Sequence, residues 1–348
     1  MSYNTDDTYK KIKDEIVLYF NSAMEDLSHS FMKDNNLTYI NVYHYTTTPV
    51  LLEILKNGII HASNVQFMND SQEVLHTKDM IEKVYIDNFS TSKYEFDFLE
   101  RINTFYDIKN VFVVSLCKRE DTLPLWYNYA NGDGCNFALS CDMLFGITNV
   151  YNPNVLLSTS YSGGKCMDAK EKIMELASNP YTGLYYLQHE TSPFWWFAIA
   201  PVIYEQEKQE RIIMNIFKTY NKLINNPKYE YYIGTVNNFL SLSLKRCSVF
   251  FKNASFDKEE EIRLALFIRQ PFMKHIVEYK AYHGTFIPYI KLSLKTLSQT
   301  NLNNRMIEGI TLGPRAKNDF SKKGIEYYLS CSGFDNIPVK TSKAPLRF

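Results

Sequence analysis

The sequence predicts an α+β fold: a mixed, mostly antiparallel sheet with an N-terminal helix and a helical insertion. Three observations carry this. Strand-like runs lie at both ends of residues 39–312, and helical apolar spacing fills 205–224 and 230–250 between them. The late strand signals follow one another at hairpin-like spacing, which favours antiparallel pairing over a doubly wound sheet. The chain then divides into an N-terminal helical segment (1–36) and one α+β domain (37–340), with the insertion at 165–250 inside it.

Taken in order, residues 8–33 carry apolar side chains at Ile12, Ile16, Phe20, Met24 and Leu27, one stripe of a helix. Y-I-N-V-Y-H-Y-T (39–46) suits a pleated surface, and the helix T-P-V-L-L-E-I-L-K-N ends at Gly58, a C-cap residue. After a short strand from Ile59, Asn69, Asp70 and Ser71 offer an N-cap for a helix beginning near Glu73. V-F-V-V-S-L-C (111–117) is a buried strand, 123–131 a short helix, and G-D-G-C-N-F-A-L-S a turn into another strand. A further strand is expected at 154–162, and none of strength from 166 to 250, F-W-W-F-A-I-A-P (194–201) included. Strand signals return at 260–268, 273–280, 285–292 and 306–312, before Gly313-Pro314 and a last helix over 316–329.

Composition narrows the function classes. The 38 Lys+Arg cancel the 38 Asp+Glu, so no general electrostatic footprint for nucleic acid exists. Neither G-x-G-x-x-G nor a Walker A loop occurs, which argues against a Rossmann or P-loop nucleotide site. The N-terminus lacks an apolar signal segment, and 194–204 is too short to span a bilayer. Six scattered cysteines without a C-x-x-C pair suggest reduced thiols. A cytoplasmic protein without a membrane partner is expected. No histidine pair has metal-ligand spacing, so no metal site is expected.

Three places carry candidate chemistry. His44 ends a strand just before the chain reverses into a helix, where side chains line clefts; a histidine tied to its own backbone is the structural alternative. Trp126 and Tyr129, three apart on one helical face, make an aromatic wall or a packing pair. In E-E-E-I-R-L-A-L (259–266), alternation puts Glu259, Glu261 and Arg263 on one strand face. Like charges at such spacing need a compensating partner, so that face is either a solvated edge or the floor of a site. Ser115 lacks the flanking glycines of a hydrolase nucleophile.

The order of these motifs is familiar. Y-H-Y-T, L-L-x-I-L, F-M-N-D-S-x-E, S-L-C, W-x-x-Y-A with G-x-x-F, E-x-E-x-R and I-T-L-G-P resemble a bacterial family of uncharacterised domains. The resemblance covers about residues 40–330 apart from the insertion. Members often sit among genes suspected of anti-phage defence, and the family looks like a remote relative of the ADP-ribosyltransferases. That resemblance implies a split sheet and NAD as substrate. His44 matches the first-strand histidine that holds the adenosine-side ribose and the nicotinamide amide. Glu261 matches the late-strand glutamate on the nicotinamide ribose, with Glu259 in reserve. Tyr129 takes the aromatic position, at a spacing unlike that of the best-known members. Tyr45, Asn69, Glu73, Ser115, Trp126 and Arg263 would complete the contacts to NAD.

The implied activity is ADP-ribose transfer to a macromolecule, protein or nucleic acid, or NAD hydrolysis, in a toxin-like or defence role. An antitoxin or a phage-sensing partner would fit that role. The alternatives are a catalytically inactive recognition module of the same fold and a nucleic-acid-processing enzyme.

Overall fold

The computed structural model describes residues 5–24, 27, 41–68, 72–89, 108–140, 148–149, 185–186, 194–282, 284–294, 307–316, 319–334 and 336–345. Among them runs a mixed α/β architecture with a mostly antiparallel open sheet. In chain order its elements are α1 (Thr5–Ala23), β1 (Asn41–Thr46), α2 (Thr48–Asn57), β2 (Ile59–Asn64), α3 (Gln72–Phe89), β3 (Val111–Cys117), α4 (Leu123–Ala130) and β4 (Cys135–Ser140). The short β5 (Thr148–Asn149) and β6 (Tyr185–Tyr186) precede β7 (Phe194–Pro201), α5 (Gln206–Ile224), α6 (Ile233–Phe250) and β8 (Glu261–Ile268). The chain continues through α7 (Gln270–Ile276), β9 (Glu278–Tyr282), β10 (Thr285–Ser293), β11 (Ile307–Leu312), α8 (Asp319–Cys331) and β12 (Val339–Thr341).

The sheet forks at β3. One edge of β3 pairs along its whole length with β8, from Val111↔Phe267 to Cys117↔Glu261. The other edge is shared: β1 meets it at Tyr43↔Cys117, and β2 meets it at Ser63↔Val113 and Asn64↔Phe112. One arm runs β1-β4-β11-β12 and the other β2-β10, with β5 and β9 on β10. Residues Val114–Leu116 lie where the arms part. Only β11–β12 pair in parallel among these ladders.

Each sheet face has its own core. Val111, Val113, Ala265 and Phe267 bury against α1, α3, α5 and α6 through Phe20, Ile81, Ile216 and Leu240. Phe112, Val114, Ile262, Leu264 and Leu266 bury on the opposite face against Leu51, Ile54 and Leu55 of α2 and Leu329 of α8. The helix α2 starts with a proline in its first turn and stops at Gly58, whose φ of 65° and N–H bond to Ile54 O (2.7 Å) form a left-handed cap.

Two expectations fail. Residues 194–201, expected inside a helical stretch, form β7, paired with β8 from Phe194↔Ile268 to Pro201↔Ile262. An apolar run of eight has no helical or strand period to read, and its aromatic content suits a strand. Among the described residues the helices of the expected 165–250 insertion begin only at Gln206. The second failure is the strand expected at 273–280: it opens as helix α7, started by a proline in its first turn, and becomes strand only at Glu278. The strand expected at 154–162 lies outside the described residues.

Candidate functional site

β8 explains the site. All eight of its residues are buried, so its charged face is not a solvated edge. It lies between β3 and β7, and alternation sends Ile262, Leu264 and Leu266 to one core while Glu261 and Arg263 face the other side with Ala265 and Phe267. Glu260, in the left-handed region at φ 42°, turns the chain out of the preceding 3₁₀ helix (Ala254–Glu259) into the strand.

Four charges meet there. Arg263 Nε donates to Glu261 Oε1 (2.7 Å) and Nη2 to Oε2 (2.9 Å), a side-on fork, while Nη1 donates to Val249 O (2.6 Å) at the end of α6. Lys252 Nζ donates to Glu259 Oε2 (2.7 Å) and to Glu261 Oε2 (3.2 Å). The Tyr129 hydroxyl donates to Glu259 Oε1 (3.1 Å). The Glu261 N–H donates to the Tyr204 hydroxyl (3.0 Å). The two carboxylates are thus matched by two cations.

Burial pushes the Glu261 carboxyl up, but the Arg263 charge and fork, then Lys252, outweigh it and hold the group well below the usual carboxylate range. Burial and the charge of Glu259 push the Tyr129 phenol up, so it stays protonated. A folded-state pKa below the unfolded one stabilises the fold above the unfolded value and loses that contribution as pH falls through the folded value. The stability gap between the wild type and Glu261→Gln is therefore expected to be widest above pH 4.5 and to narrow below it. Urea unfolding across pH 3–7 checks this; a gap independent of pH would refute the ionised state.

His44 stands at the fork of the sheet. Its ring lies 5.3 Å from that of Phe137, its cross-strand partner in β4. Its Nδ1 lies 3.1 Å from Ser115 O, in the stretch of β3 between the two arms. A carbonyl only accepts, so Nδ1 carries the proton and Nε2 keeps a lone pair. Burial, with the nearby charge of Lys280, lowers the His44 pKa and favours the neutral ring.

His44, Tyr129 and Glu261 line one cavity of about 310 Å³, together with Ser115, Lys252 and Lys280 among others. Ser115 Oγ is buried there beside Glu261 and has no hydrogen-bond partner among the described residues. Such an orphaned hydroxyl calls for an explanation.

Other candidate residues fall elsewhere. Trp126 is 0% exposed, donates Nε1–H to Asp121 Oδ1 (2.7 Å) and meets Tyr45 edge-on at 4.7 Å. Tyr45 donates its hydroxyl to Glu120 O (2.8 Å) and accepts from Thr122 N (3.1 Å). Both belong to a small core behind β1 and neither lines the cavity. The polar ends of these rings anchor the turn before α4. Arg263 reaches the cavity only through Glu261. Asn69 lies outside the described residues, as does the side chain of Glu73 in the first turn of α3.

Sequence reasoning missed Lys252, His61 and Lys280, all of which line the cavity. Lys252 lies two residues past the end of α6, with nothing local to mark it as 5% exposed. His61 shares a strand face with Ser63 in I-I-H-A-S, a signal that alternation could have raised.

Among the described residues, no helix is long and apolar enough to cross a membrane. No curated protein and no solved structure gives a match to this chain. Residues 125–264, from α4 into β8 and so including Tyr129, Lys252, Glu259, Glu261 and Arg263, match the family model described as Protein of unknown function (DUF2971).

Proposed function

We propose that the cavity binds NAD and that the chain is an ADP-ribosyltransferase-like enzyme, transferring ADP-ribose to a macromolecule or to water. The observation that supports this reading best is the convergence of His44, Tyr129 and Glu261 on one cavity where the arms of the sheet part. In that reading, the bond between C1′ of the ribose and the nicotinamide nitrogen breaks and its electron pair leaves with nicotinamide. Positive charge grows on C1′ and the ring oxygen. The ionised Glu261 opposes that charge more strongly in the transition state than in bound NAD. An acceptor hydroxyl or water then forms the new bond to C1′ and gives up its proton to solvent. His44 Nε2 accepts from a ribose hydroxyl, and a second hydroxyl satisfies Ser115 Oγ.

One observation favours the non-enzymatic alternative. Two bonds to Arg263 and one to Lys252 occupy three of the roughly four acceptor sites that a carboxylate offers. Glu261 would then only brace the cavity of a recognition module. The deciding experiment is nicotinamide release from NAD by the purified protein, with and without added protein or RNA acceptors, and cellular NAD after induced expression. Release is expected, with His44→Ala slowing it about 10²-fold, the loss that misplacing a bound substrate can bring. No release under any of these conditions rejects the enzyme, and with it the toxin-like or defence role through NAD, leaving the recognition module.

A further inference from the structure

The charge around the cavity is matched everywhere among the described residues except at one point. Glu259, Glu261, Lys252 and Arg263 cancel as a set. On the β9–β10 hairpin, Glu278 Oε2 accepts from Lys291 Nζ (2.7 Å) and from the Tyr289 hydroxyl (2.9 Å), so that pair cancels too. Lys280 has no carboxylate partner among the described residues. Its place follows from the register. Lys280 opposes Ile287, Glu278 opposes Tyr289, Tyr289 opposes Ser63, and Lys291 opposes His61. Cross-strand partners share a face, and so do residues two apart. Lys280, Tyr289, His61 and Ser63 therefore stand on the same face, together with the mutually paired Glu278 and Lys291. The His61 ring stacks on Tyr289 at 4.2 Å and 27°, and Lys280 Nζ lies 6.0 Å from the centre of the Tyr289 ring. Lys280, His61 and Ser63 all line the cavity. Burial first, then the charges of Lys280 and Lys291, outweigh the opposing charge of Glu278 and lower the His61 pKa, so its ring offers a neutral N–H donor.

We infer that Lys280, with His61 and Ser63 beside it, forms a subsite for a phosphate-class anion on the hairpin side of the cavity, suited to the diphosphate of a nucleotide. An ammonium with no carboxylate to satisfy it, a neutral imidazole and a hydroxyl supply donors and one net positive charge, which is what a diphosphate needs. The matched set of Glu259, Glu261, Lys252 and Arg263 leaves the other side of the cavity without net charge. This inference goes beyond the NAD reading, since it concerns any phosphate ester and stands or falls without turnover.

Calorimetric titration at low ionic strength tests it, with inorganic pyrophosphate, ADP-ribose and adenosine against wild type, Lys280→Ala and Lys280→Arg. Lys280 lies on an exposed strand, so the variants are expected to fold. Loss of one charge-assisted contact is expected to weaken pyrophosphate and ADP-ribose roughly tenfold or more, with adenosine unchanged and Lys280→Arg close to wild type. Binding of pyrophosphate without ADP-ribose would support the subsite with the free anion as its source. The inference is overturned if Lys280→Ala binds both phosphates as well as wild type does, if adenosine weakens in parallel, or if wild type binds neither phosphate. Lys280-dependent anion binding without nicotinamide release would keep the subsite and reject the enzyme. Release unaffected by Lys280→Ala, with no anion dependence, would do the reverse.

Discussion

Glu261→Gln is expected to bind NAD nearly as well as the wild type and to release nicotinamide about 10²–10³-fold more slowly, the usual cost of removing one preorganised electrostatic contact. The amide keeps the shape of the side chain and discards its charge. The same change also leaves Arg263, 0% exposed, and Lys252, 5% exposed, facing a neutral group, so the variant is less stable as well. Single-turnover kinetics should therefore be run at a temperature where circular dichroism shows the variant folded. Glu259→Gln provides the contrast. Glu259 holds Lys252 and Tyr129 but does not itself line the cavity, so its loss should slow release much less. If Glu259→Gln were inactive and Glu261→Gln active, the role would pass to Glu259 and the chemistry would survive. If neither variant changed release, the charged set would be a brace alone.

The largest effect on stability is expected from Arg263→Met. It removes the fork on Glu261 and the donor to Val249 O, leaving a buried carboxylate with Lys252 as its remaining cation. Breaking a buried pair from one side typically costs about 3–5 kcal/mol, whereas replacing both partners by apolar residues of similar volume is often neutral. The double variant Glu261→Leu/Arg263→Met should therefore recover most of the loss in urea unfolding. A double variant as unstable as the sum of its single changes would show that the pair matters through packing and not through charge.

Much of the fold was legible because local chemistry agreed with it. Val111–Cys117 is apolar on both faces, as a central strand between two cores must be, and Gly58 marks its helix end by a conformation few other residues adopt. The charged face of β8 was legible as an anomaly, although not as a buried one. Its burial depends on β7 and on the end of α6, whose pairing with β8 no local pattern announces. β7 itself was misread because an unbroken apolar run fits either a buried strand or a buried helix. Trp126 was grouped with Tyr129, as an aromatic wall or a packing pair, because helical spacing puts the two near each other, and only the resemblance gave it a contact to NAD. Its actual neighbour, Asp121, is fixed by a turn that periodicity cannot see. Lys280 and His61 stayed hidden for a similar reason: their meeting depends on the register of three strands, β9, β10 and β2.

The fork at β3 also bears on how the chain is made. As the ribosome releases the polypeptide from its N-terminus, β1, β2 and β3 emerge early, but the strand that covers the whole far edge of β3 arrives only after α5 and α6. Until then V-F-V-V-S-L-C keeps an open edge with apolar side chains on both faces, the kind of surface that recruits other chains. The long wait between partners makes this a high-contact-order sheet, slow to close. Nascent chains would thus need shielding for the span in which β3 is complete and β8 is not, and the cleft would be among the last parts of the molecule to exist.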